Sequence, residues 1–260
     1  MQVLVKGKIY LGAVLAALAL LTAAPAGRAL AEEQIVIAGS STVQKRVLEP
    51  AQKAIEKKTG VKLQLVGVGT IKGMGSLIKG EATAAMASCT LDEAFHDIGV
   101  PAEGTFQEHV LMKDNIVAVV HPSNPLKSLT WKEYADISTG KIKNWKEVGG
   151  KDERIVVVAA PRSTGDRAFI SDSIMQGKDY VDSAYTTVTA REVIDIVSVS
   201  PIGIGAVSEG FVKMSPGKVK VLKMKPVTRE LMLVTKNDIS PALAKVIKFL
   251  KTPEAKKLFK

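Results

Sequence analysis

Short runs of β-branched residues alternate with helical patterns after residue 31, and this alternation restricts the fold more than any other feature of the sequence. The run EEQIVIAG at residues 32–39 predicts a strand, and residues 43–58 predict an amphipathic helix that Gly60 ends. Residues 61–69 then alternate with period two, residues 75–82 predict a short helix and a turn, and residues 83–88 resemble a buried strand. This order indicates a parallel sheet with helices on its faces.

The second half of the chain repeats the plan. Residues 115–122 predict a strand, residues 128–140 a helix capped by Ser128 or Thr130, and residues 154–160 a buried strand. Three later segments, 202–210, 218–224 and 228–236, predict strands, and residues 240–260 predict one or two helices. We therefore expect two α/β units with a ligand site between them.

Polar loops follow several of the predicted strands. Residues 40–42, 67–72 and 88–89 would meet at one edge of the sheet, because the carboxyl ends of parallel strands share an edge. PRSTGDRAF at 161–169 is a similar loop before a helix. Hydroxyl residues in these places can act as ordinary N-caps, or they can line an anion site at helix starts. The loops alone leave both readings open.

The N-terminal segment has the pattern of a secretory signal. Lys6 and Lys8 precede an apolar run over residues 9–24, and Ala29 and Ala31 fit a cleavage site after Ala31. A retained membrane anchor is the alternative, although the run is short for a bilayer span. We expect an exported protein.

Charge and composition exclude several function classes. The net charge is +10, of which Lys6, Lys8 and Arg28 would leave with the signal, so the exported chain would carry +7 and suit an anionic ligand or surface. Lysines are spread along the chain and aromatics make up 5%, which disfavours a nucleic-acid groove built on stacking. Cys89 is the only cysteine, so no internal disulfide can form, and we interpret it as a small buried residue.

No catalytic or metal-binding pattern stands out. The three histidines lack metal-ligand spacing, no nucleophile elbow is present, and no Walker-type loop occurs. We expect no enzyme activity, no cofactor and no metal.

Several motifs together carry a family resemblance. IAGSSTV, GVGTIKGMGSLIKGEATAAMAS, LTWKEYADISTGKIKNWKEVGG and VVVAAPRSTGDRAF occur in this order, and HPSNP precedes the third. The chain resembles, over residues 34–255, the phosphate-binding substrate-binding proteins of bacterial ABC transporters, which have the type II periplasmic-binding fold. The LTWKEYADISTGKIKNWKEVGG segment is the most specific part of the match.

The resemblance implies an α/β fold with two lobes, each a mixed sheet flanked by helices, and a hinge between them. Lobe 1 would comprise residues 32–117 and 227–260, and lobe 2 residues 118–226. The implied function is that of a monomeric extracytoplasmic solute-binding protein. It would capture an inorganic oxyanion, phosphate, in the interlobe cleft and deliver it to a membrane ABC permease, without catalysis.

The resemblance also implies a set of ligand-binding residues. They are Ser40, Ser41, Thr42, Thr70, Ser88, Arg162, Ser163, Thr164, Gly165 and Asp166.

Three positions depart from the family pattern. Cys89 stands where the family has an arginine or an aspartate, Ala160 where it has an arginine, and Asp166 where it has a threonine. A carboxylate at 166 would repel a buried dianion, so we expect Arg162 or Arg167 to neutralise it unless the ligand is not phosphate. The alternative function is a paralogue that has lost phosphate binding and serves as a sensing or protein-interaction module, or binds another anion.

Overall fold

The computed structural model describes residues 33–98 and 106–260, the side chains of residues 96–98 excepted. The predicted signal peptide, residues 1–31, lies outside the described residues. The strands are β1 Glu33–Gly39, β2 Val61–Gly67, β3 Ala84–Ala87, β4 Phe106–Val120, β5 Val156–Ala159, β6 Tyr185–Thr186, β7 Gly203–Ser208, β8 Lys220–Val221 and β9 Val227–Lys236. The helices are α1 Ser41–Val43, α2 Glu49–Thr59, α3 Thr70–Lys79, α4 Leu91–Ile98, α5 Trp131–Ser138, α6 Gly165–Phe169, α7 Glu192–Val197, α8 Glu209–Lys213, α9 Pro241–Leu250 and α10 Pro253–Lys256.

The described strands form one nine-stranded sheet in the order β2-β1-β3-β9-β4-β7-β5-β6, with β8 beside β4. Strand β1 is parallel to β2 and β3, and β5 is parallel to β6 and β7. Strands β9 and β4 run antiparallel to each other and to their other neighbours. The 15-residue strand β4 therefore joins two half-sheets, each of mixed direction. The expected mixed α/β fold is confirmed.

The first helical region follows the predicted apolar period closely. Val43, Val47, Ala51 and Ile55 are completely buried, so one stripe of the helix faces the sheet. The chain is helical from residue 41 to residue 59, with π-helical geometry over Gln44–Leu48 between α1 and α2. Gly60 ends it at φ 72°, in the left-handed conformation that favours glycine.

A side-chain cap sets the first residue of α5, and a glycine turn sets the first residue of α3. Thr130, rather than Ser128, caps α5, because its Oγ1 accepts a hydrogen bond from Glu133 N at 3.1 Å while Glu133 Oε2 accepts one from Thr130 N at 2.7 Å. Helix α3 begins at Thr70, five residues before the prediction, since Gly69 turns the chain directly after β2. This early start brings the Thr70 side chain to the sheet edge.

Helices cover both faces of the sheet and divide its core into clusters. One cluster lies between the first half-sheet, α2 and α9, with members such as Ile37, Leu233 and Val246. Another lies under α7 and α8 in the second half, around Phe211. The largest joins the two halves across β4, and Trp145 is part of it. None of the helices in the described part of the chain has the length and apolar character needed to cross a bilayer.

Candidate functional site

Hydroxyl side chains from three loops meet at the carboxyl ends of β1, β2 and β3. Ser40 Oγ donates a hydrogen bond to Ser88 Oγ at 3.0 Å, and Ser88 N donates to Thr70 Oγ1 at 3.3 Å. Thr42, two residues beyond Ser40, is buried with them. We call Ser40, Thr42, Thr70 and Ser88 the hydroxyl cluster. Ser40 also accepts from Val43 N at 3.4 Å, so the same side chain is an N-cap and a member of the cluster.

The loop after β5 closes against this cluster from the second half-sheet. A Cβ added to Gly165 would lie 2.6 Å from Ser88 Oγ and 2.7 Å from Thr70 Oγ1, so the Gly165 backbone sits directly on the two hydroxyls. Ile71 N donates to Ser163 O at 3.2 Å. Gly69 has φ +89°, and a Cβ there would lie 2.2 Å from Ser163 O. Only glycine permits this contact between the two loops.

Asp166 lies beside the hydroxyl cluster and is 1% exposed. Thr42 Oγ1 donates to Asp166 Oδ1 at 3.1 Å. Asp166 Oδ2 lies 3.1 Å from Arg229 Nη2, within ion-pair distance, but receives no directed hydrogen bond. The expected neutralisation by Arg162 or Arg167 is wrong, because Arg229 of β9 provides the neighbouring cation.

Arg162 and Arg167 both pair with Asp179 instead. The Arg162 side chain is 77% exposed, which places its guanidinium in solvent. Arg167 also donates to Ala160 O at 3.2 Å and lies 4.8 Å from the Tyr180 ring centre. Burial acts to raise the pKa of Asp179, but the hydrogen bond from Arg167 and the charges of both arginines hold that pKa below its ordinary value.

Arg229 belongs to a buried network of alternating charge. Its Nε and Nη2 donate to Asp114 Oδ2 at 3.1 and 3.0 Å, and its Nη1 donates to Ser88 O at 3.0 Å. Asp114 also pairs with Arg46. We call Arg46, Asp114, Arg229 and Asp166 the ion network; its formal charges cancel. Burial acts to lower the pKa of Arg229, but the charges of Asp166 and Asp114 raise it above its ordinary value.

The ion network was not predicted from the sequence, although β9 contains a signal for it. Alternate residues of a strand lie on the same face of the sheet, so Arg229 lies on the same face as Leu231 and Leu233. Because both leucines are completely buried, the Arg229 guanidinium is expected among core residues. A buried arginine needs charged or polar partners, so an arginine at such a position is a candidate member of a buried ion network.

The predicted ligand-binding residues separate into two groups. Those that lie together at the buried contact are Ser40, Thr42, Thr70, Ser88, Gly165 and Asp166. The others lie at the margin of this contact or serve as a helix cap, and they are Ser41, Arg162, Ser163 and Thr164.

The Thr164 hydroxyl, predicted to bind the ligand, caps a helix in the structure. Its Oγ1 accepts from Arg167 N at 3.3 Å and donates to Pro161 O at 2.7 Å, so its hydroxyl caps α6. Ser41 and Ser163 are half-buried.

Cys89, next to Ser88 in the sequence, is buried, which agrees with its interpretation as a packing residue. A cavity of about 460 Å³ adjoins Ser163 and is also lined by Lys72, Arg162 and Arg167. Within residues 33–98 and 106–260, no group of three histidine, cysteine, aspartate or glutamate side chains is arranged to hold a metal ion.

A mixed sheet in two joined halves, with loops from both halves meeting at strand ends, defines an α/β binding protein of the periplasmic-binding type. The chain belongs to the PBP superfamily, since the family model described as PBP superfamily domain matches residues 24–253.

The chain is also similar to curated proteins. It is 29% identical over 204 residues to the phosphate-binding protein PstS of Bacillus subtilis, with 78% of this chain and 66% of the relative covered. It is 26% identical over 208 residues to PstS of Staphylococcus epidermidis, with 77% and 62% covered. The chain thus spans about two thirds of the length of these curated relatives.

Solved structures show a similar fold. A phosphate ABC transporter substrate-binding protein from Clostridium perfringens, with bound phosphate, has a TM-score of 0.77 at 25% identity, covering 87% of this chain and 96% of that one. An ABC-type phosphate transport receptor from Vibrio cholerae has a TM-score of 0.70 at 28% identity, covering 86% and 96%.

Proposed function

We propose that this protein is an extracytoplasmic receptor that binds inorganic phosphate and delivers it to an ABC permease. The names of two relatives support phosphate as the ligand, and one similar structure holds it. The signal-like segment before residue 32 supports export. The protein acts as a monomer and as a carrier, without catalysis.

One observation carries the proposal most directly: buried hydroxyls from the first half-sheet face the Gly165 backbone of the second half at a single point. Hydroxyl and amide groups are neutral donors that do not titrate near neutral pH, and they suit the oxygens of a tetrahedral anion. An anion bound between Ser88, Thr70 and Gly165 would take the place of the direct contact between them.

The ion network gives the site a preference for a protonated anion. Because its charges cancel, a fully ionised dianion would remain uncompensated there. Arg229 Nη2 lies 3.1 Å from Asp166 Oδ2 but is not aligned to donate to it, and an O–H group of phosphate or arsenate would supply an aligned donor. Sulfate carries no proton at neutral pH. Phosphate and arsenate therefore bind in preference to sulfate.

Opening of the two halves admits the ligand. We place the lobes at residues 32–117 with 227–260 and at residues 118–226, because β4 and β9 run side by side near these limits. A hinge in these strands would separate Gly165 from Ser88 and Thr70, and the clusters around Ile37 and Phe211 would stay intact. The cavity beside Ser163 is lined by three basic side chains and by Asp172 and Asp179, so its net formal charge of +1 attracts anions only weakly.

A second candidate function rests on the same contacts. Ser40, Ser88 and Thr70 are already hydrogen-bonded to one another, and Asp166 already has Arg229 beside it. A site whose hydroxyls are already paired with one another fits a paralogue that has lost phosphate binding and acts as a sensing or protein-interaction module, or one that binds another anion.

Calorimetry separates the two functions. The purified protein, freed of bound anion by partial unfolding and refolding, is titrated with phosphate, arsenate and sulfate. Micromolar or tighter phosphate binding supports the receptor, and absence of heat with all three anions supports the paralogue. Ser88→Ala should weaken phosphate binding by about tenfold, through loss of a hydrogen bond to a charged group. Ser183→Ala, which changes an exposed hydroxyl, is the control and should leave the affinity unchanged.

A further inference from the structure

The excess positive charge of the chain lies in two short segments. After residue 31 the sequence has 33 basic and 26 acidic side chains. Residues 50–60 and 241–260 contain nine of these basic residues and only two of the acidic ones, which leaves 24 of each in the remainder. Although lysines occur along the whole chain, the net charge after residue 31 comes entirely from these two segments.

The fold brings the two segments together. Lys58 at the end of α2 and Lys245 and Lys248 of α9 line one shallow cavity of about 500 Å³. Lys58 Nζ also lies 3.2 Å from Glu254 Oε1 of α10.

We call the nine lysines of these segments the basic surface; Lys58, Lys245 and Lys248 line one cavity, whereas Lys260 lies beside Arg46, near the start of the same helical region. Its members are Lys53, Lys57, Lys58, Lys245, Lys248, Lys251, Lys256, Lys257 and Lys260, all of them exposed. Among the described residues, only Lys58 of the nine has an ion-pair partner. The ammonium groups of the other members are therefore available to an external anionic partner.

The basic surface lies where the chain enters the fold. Glu33, the first residue of β1, is in register with Val61, which lies two residues after the end of α2. Only residues 25–32 separate this point from the apolar run at 9–24, a distance of at most roughly 30 Å for an extended chain. The hydroxyl cluster lies at the other end of β1.

We propose that the basic surface binds membranes that contain anionic phospholipids. Lysine ammonium groups on flexible stems are attracted to a layer of phosphodiester charges without needing a shaped pocket. Phe249, the large apolar side chain of the cavity, is 8% exposed, so the attachment is electrostatic rather than inserted. The protein lies on the membrane with its hydroxyl cluster directed away from the lipid, and anion capture continues.

Vesicle co-sedimentation tests this attachment with the purified full chain. The vesicles are phosphatidylcholine alone, or phosphatidylcholine and phosphatidylglycerol mixed equally. The test variant is Lys57→Glu with Lys245→Glu and Lys248→Glu. The control variant is Lys127→Glu with Lys143→Glu and Lys223→Glu, which reverses three exposed lysines elsewhere and has the same net charge. Circular dichroism verifies that both variants fold.

The wild type and the control should bind mixed vesicles about tenfold more tightly than phosphatidylcholine, and added salt should abolish the difference. The test variant should lose that preference. If both variants lost the preference for mixed vesicles equally, net charge alone would explain the binding, and the proposal would be wrong. Lipid binding that is independent of phosphatidylglycerol would also overturn it. A preference for duplex DNA over mixed vesicles at equal salt would also contradict it. Calorimetry with phosphate is independent of this test, because the basic surface and the hydroxyl cluster share no residue.

Discussion

Arg229 Nη2 lies 3.1 Å from Asp166 Oδ2, and both side chains are nearly completely buried. The two residues come from β9 and from the first turn of α6, and therefore from different half-sheets. Arg229 thus supplies a cation beside the loop in which Ala160 stands where the resembled family has an arginine. The pair joins the candidate anion site to β4 through Asp114.

The first prediction concerns stability. Arg229→Gln would leave the carboxylates of Asp114 and Asp166 buried without their shared cation. We expect a loss of about 3–5 kcal/mol in the free energy of unfolding, measured by urea denaturation. Lys225→Gln, an exposed change close by in sequence, is the control and should stay within about 0.5 kcal/mol of wild type. A similarly small effect at Arg229 would mean that the network contributes little to folding.

The second prediction concerns anion selectivity. Asp166→Asn replaces a carboxylate oxygen that can accept a proton-bearing ligand oxygen with an amide that can donate. The ratio of phosphate affinity to sulfate affinity should fall by about tenfold or more, since a hydrogen bond to a charged group is lost for phosphate and gained for sulfate. Competition calorimetry at neutral pH measures the ratio. Asp182→Asn, at an exposed position, should leave it unchanged. An unchanged ratio in Asp166→Asn would place that carboxylate outside the ligand contacts.

The third prediction concerns the contact between the two halves. Gly165→Ala introduces a methyl group 2.6 Å from Ser88 Oγ, so the loop must move away from the hydroxyls. We expect phosphate affinity to fall by about tenfold, because overpacking of this kind typically costs about 1–3 kcal/mol.

Gly75→Ala is the matched control for Gly165→Ala. A Cβ at Gly75 meets nothing within 4 Å, and the residue lies inside α3. This variant should bind phosphate normally and gain roughly 0.5–1 kcal/mol of stability, because alanine favours a helix more than glycine does. Wild-type affinity in Gly165→Ala would show that the anion does not bind between Gly165 and the hydroxyls of Ser88 and Thr70.

The fourth prediction concerns pH. His109 is buried on β4, and its Nε2 lies 3.0 Å from Thr235 Oγ1. Burial, and then the charge of Lys251, lowers the pKa of His109 below its ordinary value of 6.5. The unfolded chain therefore binds a proton at a higher pH than the folded one, so this residue makes stability decrease as the pH falls below about 6.5.

His109→Gln removes the titrating group and retains a partner for Thr235. Urea denaturation between about pH 7.5 and 5 should show a shallower loss of stability in this variant than in wild type. Equal slopes for the two proteins would contradict the assignment.

Some features of the fold could be read from local sequence because local forces produce them. The stripe of Val43, Val47, Ala51 and Ile55 predicts a buried helix face by its spacing alone. The hydroxyls at Ser40 and Thr42 follow a strand that sequence periodicity identifies, so their place at a sheet edge could be predicted. The capping chemistry of Thr130 needed the structure, since Ser128 was an equally good candidate from the sequence.

The alternating α/β order, the hydroxyl loops at strand ends and the total charge of the chain follow from the sequence alone. Each depends on neighbours in sequence or on simple counting. The identity of the cation that faces Asp166 depends on the folded chain, because Arg229 reaches it through strand pairing rather than through spacing along the chain. The same is true of the basic surface, whose two segments are distant in sequence and come together because α2 and α9 pack on one face of the sheet.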